Sequence, residues 1–201
     1  MTARLLRVDA AIAAFDAGGV VAIPTDTVYG FAAEISHPTA VATLFELKGR
    51  PPTRAIAVLV DSVDQISYLG VEWNEHASRL GRAFWPGALT IVVPVPHDLA
   101  VMLGSENDSV GFRVPDDDLI RRMIAVLGPL AVSSANTHGA PPCQSAYEVL
   151  AQFKERPELV GVIDGGERSG EVSTVIDCSM TQWRVIREGG VTTEQIERVL
   201  A

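Results

Sequence analysis

Cysteine is scarce in this 201-residue chain: only Cys143 and Cys178 occur, with no C-x-x-C pair and no metal-ligand spacing. A disulfide framework is thereby excluded, and two free thiols in a reducing compartment are expected. Cations are also few. Sixteen Lys and Arg stand against 25 Asp and Glu, a formal net charge of −9, which disfavours broad affinity for polyanions unless positive charge is concentrated locally. Aromatic residues make up 6%, and none alternate with basic residues in the stripe that single-stranded nucleic acid requires. No apolar run approaches the roughly 20 residues of a membrane-spanning helix. The opening M-T-A-R-L-L-R-V-D lacks the apolar stretch of a secretory signal, so a cytoplasmic protein without membrane association is expected. Also missing are the P-loop, G-x-G-x-x-G, G-x-S-x-G and H-E-x-x-H signatures. The four histidines, His37, His76, His97 and His138, are scattered, which fits caps, loops and surface rather than a zinc site.

What is present describes a folded globular chain, 47% hydrophobic and 20% charged, and its length suits a single domain over 1–201. Helical spacing is expected over Asp9–Ala17, Pro38–Lys48, Asn74–Phe84, Asp117–Leu127, Ser145–Phe153 and Thr192–Leu200, with Thr193 and Glu194 in the cap region of the last. Strand patterns fall at Val20–Ile23, Ile56–Val60, Leu89–Val95, Val110–Val114, Leu130–Ser133, Val160–Ile163, Thr174–Ile176 and Arg184–Ile186. Helices between strands imply an α/β fold bordering on α+β, with strand order left open.

Polar groups recur beside these strands. Thr25-Asp26-Thr27 follows one apolar strand, and Ser133-Ser134-Ala135-Asn136 ends another. Such residues cap helices or bind a ligand at the mouth of a sheet, and the local pattern leaves both open. Lys48, Arg50 and Arg54 cluster at a helix-to-strand junction, suited to a polyphosphate or to an ordinary basic loop. Arg113 lies within an apolar strand pattern, so it either faces solvent or holds a carboxylate in a cleft. Ser173-Thr174 and Arg187 repeat the pairing of polar groups with β-type residues. Tyr29 and Trp85 suit either a pocket wall or the core, and Phe84 the core. Two further constellations, a Ser133 or Ser134/His138 hydrolase triad and a reactive Cys143, lack an orienting motif or an activating partner.

Taken in order, G-G-V-V-A-I-P-T-D-T-V-Y-G-F (18–31), F-E-L-K-G-R-P (45–51), F-W-P-G-A-L-T (84–90), G-F-R-V-P (111–115), S-S-A-N (133–136), S-T-V-I-D (173–177) and I-R-E-G (186–189) resemble the YrdC/Sua5 family of L-threonylcarbamoyladenylate synthases. These stretches extend over nearly the whole chain. The resemblance implies a twisted mixed β-sheet with flanking helices and a concave basic cleft. It also implies ATP-dependent synthesis of threonylcarbamoyl-AMP from L-threonine and bicarbonate, with release of pyrophosphate, as the first step of threonylcarbamoyladenosine formation in tRNA.

Carried onto this sequence, the catalytic groups implied are Lys48, Arg50, Ser134 and Asn136. L-threonine would fall to Thr25, Arg113, Ser134 and Ser173, and ATP to Lys48, Arg50, Ser109, Asn136, Gln144 and Arg187. Tyr29, Arg54 and Ser133 would be further pocket residues. Mg²⁺ would arrive with ATP without a fixed protein ligand, no tightly bound organic cofactor is expected, and the partners would be downstream threonylcarbamoyl-transfer proteins, with direct tRNA binding left open. The chain departs from the family pattern at Ala55, at Ala88 and at Thr137-His138-Gly139, and it resembles the single-domain form. A second expectation, from a different class, is a noncatalytic nucleotide- or RNA-binding module on the same fold.

Overall fold

The computed structural model describes residues 2–49, 55–137, 139–168 and 171–201. In chain order the elements are β1 (Arg4–Leu6), α1 (Val8–Asp16), β2 (Val20–Pro24), β3 (Tyr29–Glu34), α2 (Pro38–Lys48), β4 (Ala57–Leu59), α3 (Val63–Tyr68), α4 (Glu75–Phe84) and β5 (Leu89–Pro94). They continue with α5 (His97–Met102), β6 (Ser109–Arg113), α6 (Asp118–Leu127), β7 (Leu130–Ser134), α7 (Ala146–Phe153), β8 (Leu159–Ile163), β9 (Thr174–Asp177), β10 (Arg184–Arg187) and α8 (Thr193–Leu200). The strands join into one sheet in the order β1-β8-β2-β3-β7-β4-β6-β5-β9-β10. Four pairs are parallel (β1/β8, β2/β8, β4/β6, β5/β9) and the other five antiparallel, so the sheet is mixed, as the family resemblance implies.

Most expected elements form within a residue or two of their anticipated bounds, and caps explain why. Asn74 accepts the Ala77 N–H, Asp117 those of Leu119 and Ile120, and Ser145 that of Glu148. Each thereby satisfies donors that a helix N-terminus leaves unpaired. Helix α2 ends at Gly49 with φ 61°, a left-handed conformation that glycine adopts without a Cβ clash. The last helix is capped one residue earlier than expected: Thr192 and Gln195 form a reciprocal capping box, and Thr193 is already helical.

Four elements go beyond the sequence expectation: β1, β3, α3 and α5. Strand β3, Y-G-F-A-A-E, is buried along nearly its whole length. With glycine and two alanines it shows neither period-2 alternation nor high β-propensity. Its hairpin partner β2 and its outer neighbour β7 hold it in place.

The two faces of the sheet are covered unequally. On one face Phe31, Val58, Leu89, Ile91, Val93, Val110, Phe112 and Ile176 join α2, α4, α5, α7 and α8 in the larger core. On the other, Val21, Ile23, Ala32, Leu59, Leu130 and Ile163 pack beneath α1 and α6 in a smaller core. That second cover stops partway along the sheet. Residues of the same face farther on, Ala57, Gly111, Thr90, Val92 and Val175, line a cavity instead.

Asp117 should be a measurable support of this half-roof, because it caps α6 and its other oxygen pairs with Arg168 at 3.0 Å. Asp117→Ala is expected to lower the unfolding free energy by about 1–2 kcal/mol in urea titration. Asp117→Asn should cost less, since asparagine caps as well as aspartate.

Candidate functional site

The cavity over the uncovered half-sheet measures about 650 Å³, large enough for a drug-sized ligand. Its floor is built from alternate residues of β3, β7, β4, β6, β5 and β9, and the polar residues singled out in the sequence gather around it. The expectation of a site at strand ends is set beside a cavity that lies over a sheet face, reached at its edges by strand ends and turns. Gly111 keeps the floor low, since a Cβ there would lie 2.7 Å from Thr90 Cγ2.

One wall is the β2–β3 hairpin turn. The Thr25 hydroxyl donates to Val28 O at 2.7 Å and accepts the N–H groups of Thr27 and Val28. Its proton is therefore committed, so the 3.0 Å contact between Thr25 and Thr27 Oγ1 is donated by Thr27. Thr27 Oγ1 in turn accepts from Arg113 Nη1 at 3.0 Å. Arg113, only 6% exposed, also donates from Nε to Gly87 O at 2.9 Å. Its Nη2 lies 2.5 Å from Asp26 Oδ1. That contact is an ion pair without hydrogen-bond alignment, and neither atom has another hydrogen-bond partner among the described residues. The alternatives left open for Arg113 resolve toward the cleft.

A second wall carries Ser134 and Asn136, both held by Lys48, which is buried at the end of α2 and is itself outside the lining. Its Nζ donates to Ser134 O, Ser134 Oγ and Asn136 Oδ1, each at 2.7 Å. Ser134 Oγ donates onward to Asn136 Oδ1 at 2.6 Å, and Asn136 Nδ2 donates to Thr137 O and Ala140 O. The S-S-A-N turn is thus wired to the lysine across 86 residues of sequence. Ser133 Oγ is buried with no hydrogen-bond partner among the described residues, although Ser133 contributes to the cavity lining.

The third wall lies on β9 and β10. Ser173 Oγ and Thr90 Oγ1 are 2.9 Å apart, and Arg187 donates to Ser173 O from Nε and Nη2 and to Ser173 Oγ from Nη2. Strict alternation would place Arg187 on the same face as Val185, which packs on the larger core. A register shift between Val185 and Arg187 sets Arg187 opposite Val175 instead. This bulge turns both Ile186 and Arg187 to the cavity. Burial, and then the nearby charge of Arg113, push the Arg187 pKa below its ordinary value. Two guanidinium groups therefore converge on one space where an entering anion relieves their repulsion.

Ser109 lines the rim, while Gln144 is exposed and outside the lining. Arg50 and Arg54 lie outside the described residues, and with them much of the expected basic character. Among the described lining residues the charged groups are Arg113, Arg187 and Glu106. Tyr29 touches the cavity but is wholly buried; its hydroxyl accepts Gly165 N–H and donates to Gly166 O. Burial raises its pKa, so it acts as a tie between β3 and the loop after β8. Trp85 instead stacks at a tilt on Trp73, 5.2 Å between centroids, beside a separate cavity of about 360 Å³.

Sequence reasoning passed over Thr90, and it marked Asp26 and Thr27 as polar groups at a strand end without giving either a role. Thr90 carried a signal, a hydroxyl within the apolar run L-T-I-V-V, and the other two lay inside a quoted motif. Among the described residues no group of three or more His, Cys, Asp or Glu could hold a metal, and no helix is long and apolar enough to cross a membrane.

Comparison with known proteins places this geometry among relatives. The family model Sua5_yciO_yrdC, described as "Telomere recombination", matches residues 13–189. The threonylcarbamoyl-AMP synthase of Pyrococcus abyssi is 38% identical over 187 residues, 91% of this chain and 54% of that protein. A putative threonylcarbamoyl-AMP synthase of Mycobacterium tuberculosis is 38% identical over 94% of this chain and 87% of its own length. The crystal structure of P. abyssi Sua5 complexed with L-threonine superposes with a TM-score of 0.88 at 34% identity, covering 99% of this chain and 60% of that one. The chain thus spans little more than half of the archaeal relative.

Both cysteines are buried and free, and desolvation pushes the thiols of Cys143 and Cys178 up to about 11 and about 12. At pH 8 the folded protein would hold roughly one thiolate per thousand or fewer at either site. An aromatic disulfide reagent at pH 8 should therefore titrate two thiols promptly in denaturant and almost none in the native protein.

Proposed function

Because the chain belongs to the Sua5/YciO/YrdC family, we propose that it makes L-threonylcarbamoyl-AMP from L-threonine, bicarbonate and ATP, releasing pyrophosphate, and so begins threonylcarbamoyladenosine formation in tRNA. The observation that carries this proposal is that Arg113 and Arg187 line one cavity together with Ser134 and Asn136, which Lys48 holds from outside the lining. The relatives' names and the threonine complex of the archaeal structure support it.

In this proposal the Arg113 guanidinium takes the threonine carboxylate, with Thr25, Ser134 and Ser173 bounding the rest of the amino acid. ATP lies toward Lys48, Asn136, Ser109 and Arg187, with Arg50 and Gln144 as further contacts. The threonine amine adds to bicarbonate-derived carbon dioxide. The carbamate oxygen then attacks the α-phosphorus, and pyrophosphate leaves with the bridging electron pair. No covalent bond to the protein is required. Alignment of three small substrates and charge stabilisation at the phosphate oxygens supply the acceleration.

Glu106 is the one carboxylate among the described lining residues, which fits a Mg²⁺ ion carried on ATP phosphates rather than one caged by protein. Bound there, the ion would neutralise charge on the departing pyrophosphate. The protein's own part is to orient the reactants: Lys48 fixes Ser134 and Asn136, and Ser173 fixes Arg187.

Mass measurement of the product decides the assignment. Threonylcarbamoyl-AMP should form only when L-threonine, bicarbonate and ATP are all present; ATP consumption indifferent to threonine would sink it, and nucleotide or RNA binding without product would favour a noncatalytic module. In the folded variants, Arg113→Lys keeps the charge but loses the planar fork. It should raise the threonine concentration for half activity about ten- to a hundred-fold, equivalent to a charged hydrogen bond of about 1.5–3 kcal/mol, and change ATP dependence much less. Lys48→Ala should instead weaken ATP engagement and turnover; equal damage to both substrates in both variants would defeat the division.

A further inference from the structure

The proposed chemistry leaves Asp26 unused, although it forms an ion pair with Arg113 at 2.5 Å. We propose that Asp26 is a positioning residue for the amino-acid carboxylate, acting through Arg113 from outside the cavity; this rests on the assignment of Arg113 above. Arg113 and Thr27 line the cavity, and Asp26 does not. The side chains of Arg113 and Asp26 are 7% and 15% exposed, so each needs the other's charge to be held out of water. Arg187, which lines the same cavity, carries charge of the same sign and offers Arg113 no compensation.

The form of the contact matters as much as its existence. Gly87 O and Thr27 Oγ1 take hydrogen bonds from Nε and Nη1 and fix the plane of the guanidinium. Asp26 Oδ1 approaches Nη2 to 2.5 Å, yet the N–H directions are not aligned on it. Asp26 therefore balances the charge without consuming the Nη2 donors. A buried donor with no aligned acceptor is rare in folded proteins, and a ligand carboxylate is the group that would complete it. The T-D-T turn thus serves as a seat for Arg113: Thr27 orients it, and Asp26 balances its charge.

Asp26→Asn preserves shape and removes the charge; Asp26→Glu restores the charge one methylene farther out. With Arg113→Lys as reference, threonine and ATP dependence, turnover at saturation and the thermal midpoint would be measured for each. Calorimetric binding of L-threonine and of L-threoninamide, which lacks the carboxylate, completes the set. For Asp26→Asn the threonine half-saturation should rise about ten-fold, with turnover at saturating threonine and ATP dependence within about two-fold. Preference for threonine over its amide should shrink, an effect that mere loss of stability would not produce, and Asp26→Glu should recover part of the loss. Unchanged or tighter threonine binding in Asp26→Asn, or equal loss for threonine and threoninamide, overturns the proposal. If Asp26→Asn does not fold, Asp26→Glu decides by the same carboxylate-specific criterion. A threonine effect in Arg113→Lys without one in the Asp26 variants would refute only this inference, whereas no effect in either would remove the carboxylate site itself.

Discussion

A sheet of this width has more apolar face than the described helices cover, and the site exists because one part of one face is left open. Helices α2, α4, α5, α7 and α8 close the first face, whereas α1 and α6 close only the portion of the second beneath them. An uncovered β-face of valines and alanines would ordinarily be a liability. Here it is interrupted by Gly111, Thr90 and Arg113, and it is ringed by hydroxyls and guanidinium groups. The hydrophobic effect that builds the two cores therefore also sets the boundary of the cavity.

Within that boundary the polar groups are held mainly by one another. Arg113 is held by Gly87, Thr27 and Asp26, Lys48 by Ser134 and Asn136 among its partners, and Arg187 by Ser173. Each cation is fixed by groups distant in sequence, so the site is pre-organised by the fold rather than by any single loop. Such fixed donors favour anionic ligands without the cost of reorganising at the moment of reaction.

The sequence carried the helices well because their caps are local: Asn74, Asp117 and Ser145 announce the turns they begin. It carried the strands of the larger core because Leu89, Ile91 and Val93 alternate with residues of the other face. It could not show β3, whose burial erases alternation, nor the facing of Arg187, which depends on an extra residue in β10. The same limit applies to Arg113: an arginine in a strand pattern shows that a partner is needed, but not which one.

The candidate residues, their types and the family to which the chain belongs were determined by the sequence itself, since Thr25, Lys48, Arg113, Ser134, Asn136, Ser173 and Arg187 stand in motifs whose order is legible without coordinates. Which of them share a wall was decided only in three dimensions. The register of β9 against β5 brings Ser173 to Thr90, the hairpin turn brings Asp26 and Thr27 to Arg113, and α2 delivers Lys48 to a turn 86 residues away. Hydrogen bonds and ion pairs are short-ranged, so contacts between distant segments are set by the packing that brings those segments together, and no local pattern encodes that packing.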